Sequence, residues 1–200
     1  MASATVLAMA GVLLGAAPRF TSVWRSPDIA QVSFAGERLA ALVITYDDSL
    51  RMAGEESLAR ELSERGFSAV ATYRIAPKEE LQSAERAKVW FEKANVAGVV
   101  VLRPISSDTR TVYLPTVWLS PTYSTLWGFY GEGWGNVYVS GSLERETVVT
   151  VETLVYSVSR NQLMWAAVSE TTNPKTLPRF VDDLIKECVK ELHKQGLARK

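Results

Sequence analysis

The chain has 200 residues, 47% of them hydrophobic, and its 22 Lys and Arg balance its 22 Asp and Glu to a formal net charge of zero. That length suits one globular domain, and the balance removes the basic footprint that a nucleic-acid or anionic-membrane partner would need. With one cysteine, Cys188, and one histidine, His193, an intramolecular disulfide is excluded, a usual zinc site cannot be completed, and no metal or cofactor is expected, although carboxylates are plentiful enough to leave an oxygen-ligand site open. Zero net charge also gives little colloidal protection, which favours self-association or a partner.

From Ala4 to Ala17 every residue except Thr5 is apolar or small. A run of about 14 is too short for a membrane span, which takes about 20 residues. It fits the apolar segment of a secretory signal ending in Gly15, Ala16 and Ala17, although no Lys or Arg precedes Arg19. The alternative is an ordinary core helix. Residues 1–17 are thus expected as a signal-like segment and residues 18–37 as a linker with a short extended stretch from Gln31 to Phe34. Residues 38–200 are expected as a single α/β domain.

Leu39 to Ile44 is a continuous apolar run between Gly36 and the Asp47-Asp48 pair, the pattern of a strand covered on both faces. Asp48 is expected to cap a helix carrying Leu50, Ala53, Leu58 and Leu62, which Gly66 ends. Phe67 to Tyr73 reads as a second strand. Pro77 opens a second helix lined by Leu81, Ala84, Ala87, Phe91 and Ala94, and Val96 to Leu102 is a third buried strand. This β-α-β-α-β order implies a parallel first half.

The second half should be antiparallel. Thr111 to Leu119 and Asn136 to Ser140 read as strands, and Thr147 to Ser159 and Leu163 to Val168 form a hairpin across Arg160-Asn161-Gln162. Thr176 to Gln195 carries Leu177, Phe180, Val181, Leu184, Ile185, Cys188, Val189 and Leu192 at helical spacing, and Gly196 stops it. The fold class is therefore α/β: a mixed sheet with a parallel first half, an antiparallel hairpin second half and a C-terminal amphipathic helix.

The segment Leu119 to Tyr138 stands apart. It carries Tyr123, Trp127, Phe129, Tyr130, Trp134 and Tyr138, spaced by Gly128, Gly131, Gly133 and Gly135. Glycines let a loop present rings, and aromatic faces bind sugars, bases, lipid headgroups or proteins. The alternative is that the rings fold over the sheet as a satellite core. The glycines make no phosphate cradle, because no Lys-Ser/Thr ending follows and Glu132 would repel phosphate.

Other chemistry is sparse. Asp47 and Asp48, with Glu55 and Glu56 nearby, could hold a cation or act as acid and base, or Asp48 caps its helix while Arg51 pairs with Glu55. Glu152, inside a strand, points to solvent, pairs with Arg160 or Arg145, or takes part in catalysis. Cys188 lies on an apolar stripe and reads as an inert thiol. His193 sits near a helix end where a cation is favoured, and no Gly-x-Ser-x-Gly elbow accompanies it.

Several stretches together resemble a group of uncharacterised proteobacterial envelope lipoproteins. They are Phe20-Thr21-Ser22-Val23-Trp24, Ser49-Leu50-Arg51-Met52-Ala53-Gly54-Glu55-Glu56, the Gly/Tyr/Trp segment, Val151-Glu152-Thr153-Leu154-Val155-Tyr156, Leu163-Met164-Trp165 and Ser169-Glu170-Thr171-Thr172-Asn173-Pro174. More distantly the element order looks like the small domains of envelope accessory proteins, including the curli-secretion lipoprotein type and the N-terminal domain of the Tol translocation protein. The resemblance implies a periplasmic or outer-membrane home and no enzyme activity, and it offers no catalytic residues. Leu13-Leu14-Gly15-Ala16 is similar to a lipoprotein signal box with Ala16 where the lipidated cysteine would stand, which implies that the acyl anchor is missing.

The expected function is a non-enzymatic cell-envelope protein that binds an envelope partner or forms a homo-oligomer through Tyr123, Trp127, Phe129, Tyr130, Trp134 and Tyr138. The inner leaflet of the outer membrane is a further contact, and no nucleic acid is involved. Two alternatives stay open: a binding module for cell-wall glycan or a small amphipathic molecule, and an enzyme using Asp47, Asp48 or Glu152.

Overall fold

In the computed structural model, which describes residues 17–106, 125–133, 147–172, 174 and 176–197, the apolar run after Gly36 becomes strand β2 (Arg38–Val43). Leu39 to Val43 are all buried, as a strand covered on both faces requires. Around it the described residues form a six-stranded sheet in the order β1-β6-β5-β4-β2-β3. β2 pairs in parallel with β3 (Ser68–Ala71) and with β4 (Val96–Ser106). β4, β5 (Val148–Ser157) and β6 (Gln162–Thr172) then pair antiparallel, with Asn161 at φ 47° in the tight β5–β6 turn. The mixed α/β architecture read from the sequence is the one observed.

Helix α1 (Asp48–Glu64) follows β2. Its cap is Asp47, whose carboxylate accepts from Leu50 N at 3.0 Å. The expected cap, Asp48, lies in the first turn instead and pairs with Lys78 at 2.7 Å. Gly66, at φ 89°, supplies the left-handed residue that ends the helix. The helix expected from Pro77 is broken into α2 (Lys78–Leu81) and α3 (Ala84–Lys93), because Ser83 between them is extended (φ −117°, ψ 129°).

Residues 126–133 of the aromatic segment, expected as loop, form a short helix, α4 (Leu126–Gly133). The terminal helix is α5 (Leu177–Lys194), and its apolar stripe is buried. The strands expected at Thr111 to Leu119 and Asn136 to Ser140, and the apolar segment 1–16, lie outside the described residues.

One part of the expected linker is a strand. Arg19–Arg25 forms β1 at the sheet edge, paired with β6 from Arg19↔Glu170 to Arg25↔Trp165. A bulge between Phe20 and Ser22 shifts the register, so Phe20 joins the core on one face and Trp24 the core on the other. Four residues apart, they would share a face in a regular strand. Exposed Arg19, Thr21, Val23 and Arg25 still alternate with half-buried Phe20, Ser22 and Trp24, and the bulge with the arginines at the strand ends guards this edge against pairing with other chains. Of the extended stretch expected from Gln31 to Phe34, Gln31 instead ends a 3-10 turn, Pro27–Gln31, capped by Ser26, and Val32 after it is extended (φ −116°, ψ 128°).

The sheet separates two apolar layers. On one face α1 and α5 cover Leu39, Ala41, Val100, Leu102 and Trp165. On the other α3 and α4 cover Ala40, Leu42, Val99, Val101 and Tyr156. α1 and α5 come close because residue 54 has no side chain: a Cβ there would sit 3.1 Å from Val43 Cγ2 and 3.6 Å from Val181 Cγ1. Both helices start at the end of the sheet where β2 and β4 finish.

Gly98 in β4 is the most crowded of the described glycines. A Cβ there would lie 2.6 Å from Phe34 Cε1 and 2.9 Å from Leu39 Cδ2. Gly98→Ala should cost about 1–3 kcal/mol of stability by overpacking. Phe34→Leu, which removes the opposing ring edge, should lessen that cost, and urea unfolding of the two single variants and the double variant reads the non-additivity.

Candidate functional site

Where the sequence changes from apolar strand to charged helix, buried polar groups collect at one end of the sheet. The β2–β3 pairing ends at Ala41↔Ala71, after which the chain turns into a 3-10 turn, Thr72–Arg74, tied back by the Thr72 hydroxyl donating to the Ala41 carbonyl. β2 runs on to Val43, so its N–H on that side faces no strand. Glu55, reaching back from α1, fills the gap. Its Oε1 accepts from Val43 N at 3.4 Å and its Oε2 from Tyr73 N at 2.7 Å. The residue is 0% exposed. Burial pushes its carboxyl up to about 7, against the lowering effects of the Tyr73 N–H, the Arg51 charge and the Val43 N–H.

Arg51, one turn earlier on α1, places Nη1 3.5 Å from Glu55 Oε1. Its Nε stands 3.6 Å from Asp48 Oδ1, and this buried nitrogen has no hydrogen-bond partner. The Lys78 ammonium and then Arg51 hold the Asp48 carboxyl below its ordinary value. Tyr130 approaches from α4. Its ring is buried edge-on to Phe91 at 6.2 Å, and its hydroxyl also lacks a partner. Burial, followed by the Glu55 charge, pushes that phenol up, and Arg51 opposes the shift.

A second ion pair lies at the same end. Arg103 on β4 is directly opposite Glu152 on β5, with Nη2 2.7 Å and Nε 3.0 Å from Oε2. The residues are 2% and 0% exposed. Leu102, just before Arg103, pairs with Val43, so the two Arg–Glu pairs stand at the finish of the central strands. α4 covers this end as well: the Arg103 guanidinium is 5.4 Å from the Phe129 ring centre, and Phe129 stacks on Tyr156 at 5.6 Å.

The aromatic residues read as a binding surface therefore divide. Phe129 and Tyr130 are buried within the chain, so here they are anchors rather than contact surface, because apolar rings in a two-layer fold bury themselves when a sheet face is open to them. Trp127 is half-buried, tilted against Phe91 at 6.1 Å and Tyr130 at 6.0 Å. Tyr123, Trp134 and Tyr138 lie outside the described residues.

The candidate acid–base groups are each engaged. Asp47 caps α1, Asp48 pairs with Lys78, Glu55 completes the sheet, and Glu56 binds Arg74 at 3.0 Å and accepts from the Tyr73 hydroxyl. Glu152 turns from solvent to Arg103, and Arg145 lies outside the described residues. The sequence did hold a signal for this pair: Arg103 and Glu152 are opposite charges in otherwise apolar strands, although their partnership spans 49 positions. Cys188 is sealed against Thr153 Oγ1 at 3.1 Å, and burial pushes its thiol up to about 12.

His193 lines a shallow hollow with Arg65, Lys190 and Lys194. A groove of ≈ 460 Å³ runs between α1 and α5, lined by Leu50, Gly54, Ser57, Val181 and Asp182. Among the described residues, no group of three or more His, Cys, Asp or Glu could hold a metal ion, and no helix is long and apolar enough to cross a membrane.

No family model matches the chain, and no curated protein sequence matches it. Among solved structures it is similar to a PelC dodecamer from Paraburkholderia phytofirmans, at 18% identity and a TM-score of 0.48, over 94% of this chain and 100% of that one. It is also similar to the lipoprotein GNA1162 from Neisseria meningitidis, at 10% identity and a TM-score of 0.40, over 79% of this chain and 99% of that one. Neither likeness assigns this chain to a family.

The Arg103–Glu152 pair yields a direct test of its energetics. Glu152→Ala should cost about 3–5 kcal/mol, since it removes the carboxylate from a buried ion pair, whereas replacing both residues by leucine should stay within about 2 kcal/mol of the parent. Equilibrium unfolding in urea separates the two outcomes.

Proposed function

We propose that the chain is a non-enzymatic protein of the bacterial envelope that associates with copies of itself through its aromatic segment. The carrying observation is the unequal burial within α4: Phe129 and Tyr130 are sealed in the core, while Trp127 beside them is half-buried. Two buried rings fix the helix, and a tryptophan held on a fixed support has the properties of an interface hot spot, since it brings large apolar area at little further entropic cost. Zero net charge favours association. The apolar run from Ala4 to Ala17 supports export. The non-enzymatic reading is supported by the carboxylates, each held in caps, ion pairs or backbone bonds.

Light scattering at micromolar concentrations on the chain lacking residues 1–17 should give a mass of several copies. Trp127→Ala should weaken the assembly by at least about tenfold, the minimum expected of a hot spot. Its midpoint of thermal unfolding should stay within about 4 °C of the parent. A parent that remains monomeric, or a variant that associates as well as the parent, overturns the reading. In cell fractionation the full chain should be recovered with the periplasm, and recovery with the cytosol removes the envelope assignment.

A further inference from the structure

We propose that the groove between α1 and α5 is the seat for Trp127 of a second copy, so that the chains join head to tail. The inference rests on the self-association reading above and names the surface that receives the ring. Leu50, Ala53 and Gly54 on α1 and Pro178 and Val181 on α5 wall the groove, and Asp182 stands beside them. An indole covered by an interface needs an acceptor for its N–H. Among the described residues the Trp127 side chain makes ring contacts with Phe91 and Tyr130, while its Nε1 makes no hydrogen bond. Asp182 has an acceptor to offer. Its Oδ1 accepts from the Ser57 hydroxyl and lies 3.8 Å from Arg60 Nη2, and its Oδ2 has no partner among the described residues. The hollow at His193 is lined by charged residues and Gly66 rather than by apolar side chains, so it gives a ring little to bury against.

The sheet lies between ring and groove, and this fixes the kind of contact. Trp127 packs against the apolar layer on the α3–α4 face, and Val181 of the groove packs against the layer on the α1–α5 face. A chain therefore cannot seat its own Trp127. Two chains also cannot exchange both contacts across one two-fold interface, which needs the two patches on the same surface. Each seated ring leaves one chain with a free ring and the other with a free groove, so the contact passes from copy to copy.

Mixing two variants of the full chain tests the seat. Trp127→Ala removes the ring, and Ala53→Phe fills the groove from an exposed wall position. Each variant alone should associate at least about tenfold more weakly than the parent. Mixed in equal amounts, they should form a pair holding one copy of each, read by native mass spectrometry. The ring of one then meets the open groove of the other, and nothing is left to extend the pair. Failure of the mixture to pair, or an Ala53→Phe chain that assembles as well as the parent, overturns the seat and leaves the self-association reading standing. A parent that is monomeric at every concentration overturns both. If Ala53→Phe does not fold, the smaller Ala53→Cys serves instead, since the native Cys188 is buried. Maleimide should label its new thiol at least about tenfold more slowly in the assembly than in the same variant carrying Trp127→Ala, and equal rates overturn the seat.

Discussion

The parting of β3 from β2 after Ala71 leaves the Val43 N–H facing a gap inside the protein, and the arrangement at that end of the sheet follows from how the donor is satisfied. An unpaired buried N–H costs on the order of 1–3 kcal/mol. Glu55 meets the need by accepting from both separated chains, Val43 on one side and Tyr73 on the other. That solution brings a carboxylate out of water, which calls for Arg51, which in turn lies against Asp48 and, through it, Lys78 at the start of α2. A split in the sheet is thus converted into a chain of charges that fixes where α1 and α2 begin.

The Arg103–Glu152 pair works on a different balance. Two charges directly opposite one another on neighbouring strands gain from a short contact in which Nε and Nη2 of Arg103 both donate to Glu152 Oε2, and both give up hydration to do so. Apolar residues of similar size would hold the strands about as well. What the pair adds is register: a slip of β5 by one residue would carry Glu152 to the opposite face and leave Arg103 buried alone. Phe129 lies over this guanidinium, so α4 meets a buried charge beneath an otherwise apolar layer.

Much of this architecture was legible in the residues. β2 shows as a continuous apolar run, the β5–β6 hairpin as two β-rich runs across a tight connection and α5 as an unbroken helical period, and each is found within a few residues of where its pattern places it. The misses have local causes. β1 alternates in burial, but Ser22 stands at a half-buried position and Val23 at an exposed one, so its apolar residues follow no regular period. α4 carries Gly128, Gly131 and Gly133 within eight residues, a composition that favours a loop until Phe129 and Tyr130 find a sheet face to cover. Asp47 and Asp48 are adjacent and chemically alike, and only the backbone angles decide which one caps. Of the site, the Arg51–Glu55 pair could be read from helical spacing. The pairing of Arg103 with Glu152 depends on strand order and could not.

The contact between Thr153 and Cys188 has a consequence under oxidising conditions. The lone sulfur is shut between the terminal helix and the middle of the sheet and is held almost wholly as the thiol. Mixed-disulfide formation needs an exposed thiolate, so molecules with that helix in place would keep the sulfur reduced among oxidants. They would also be spared covalent dimerisation through their single cysteine.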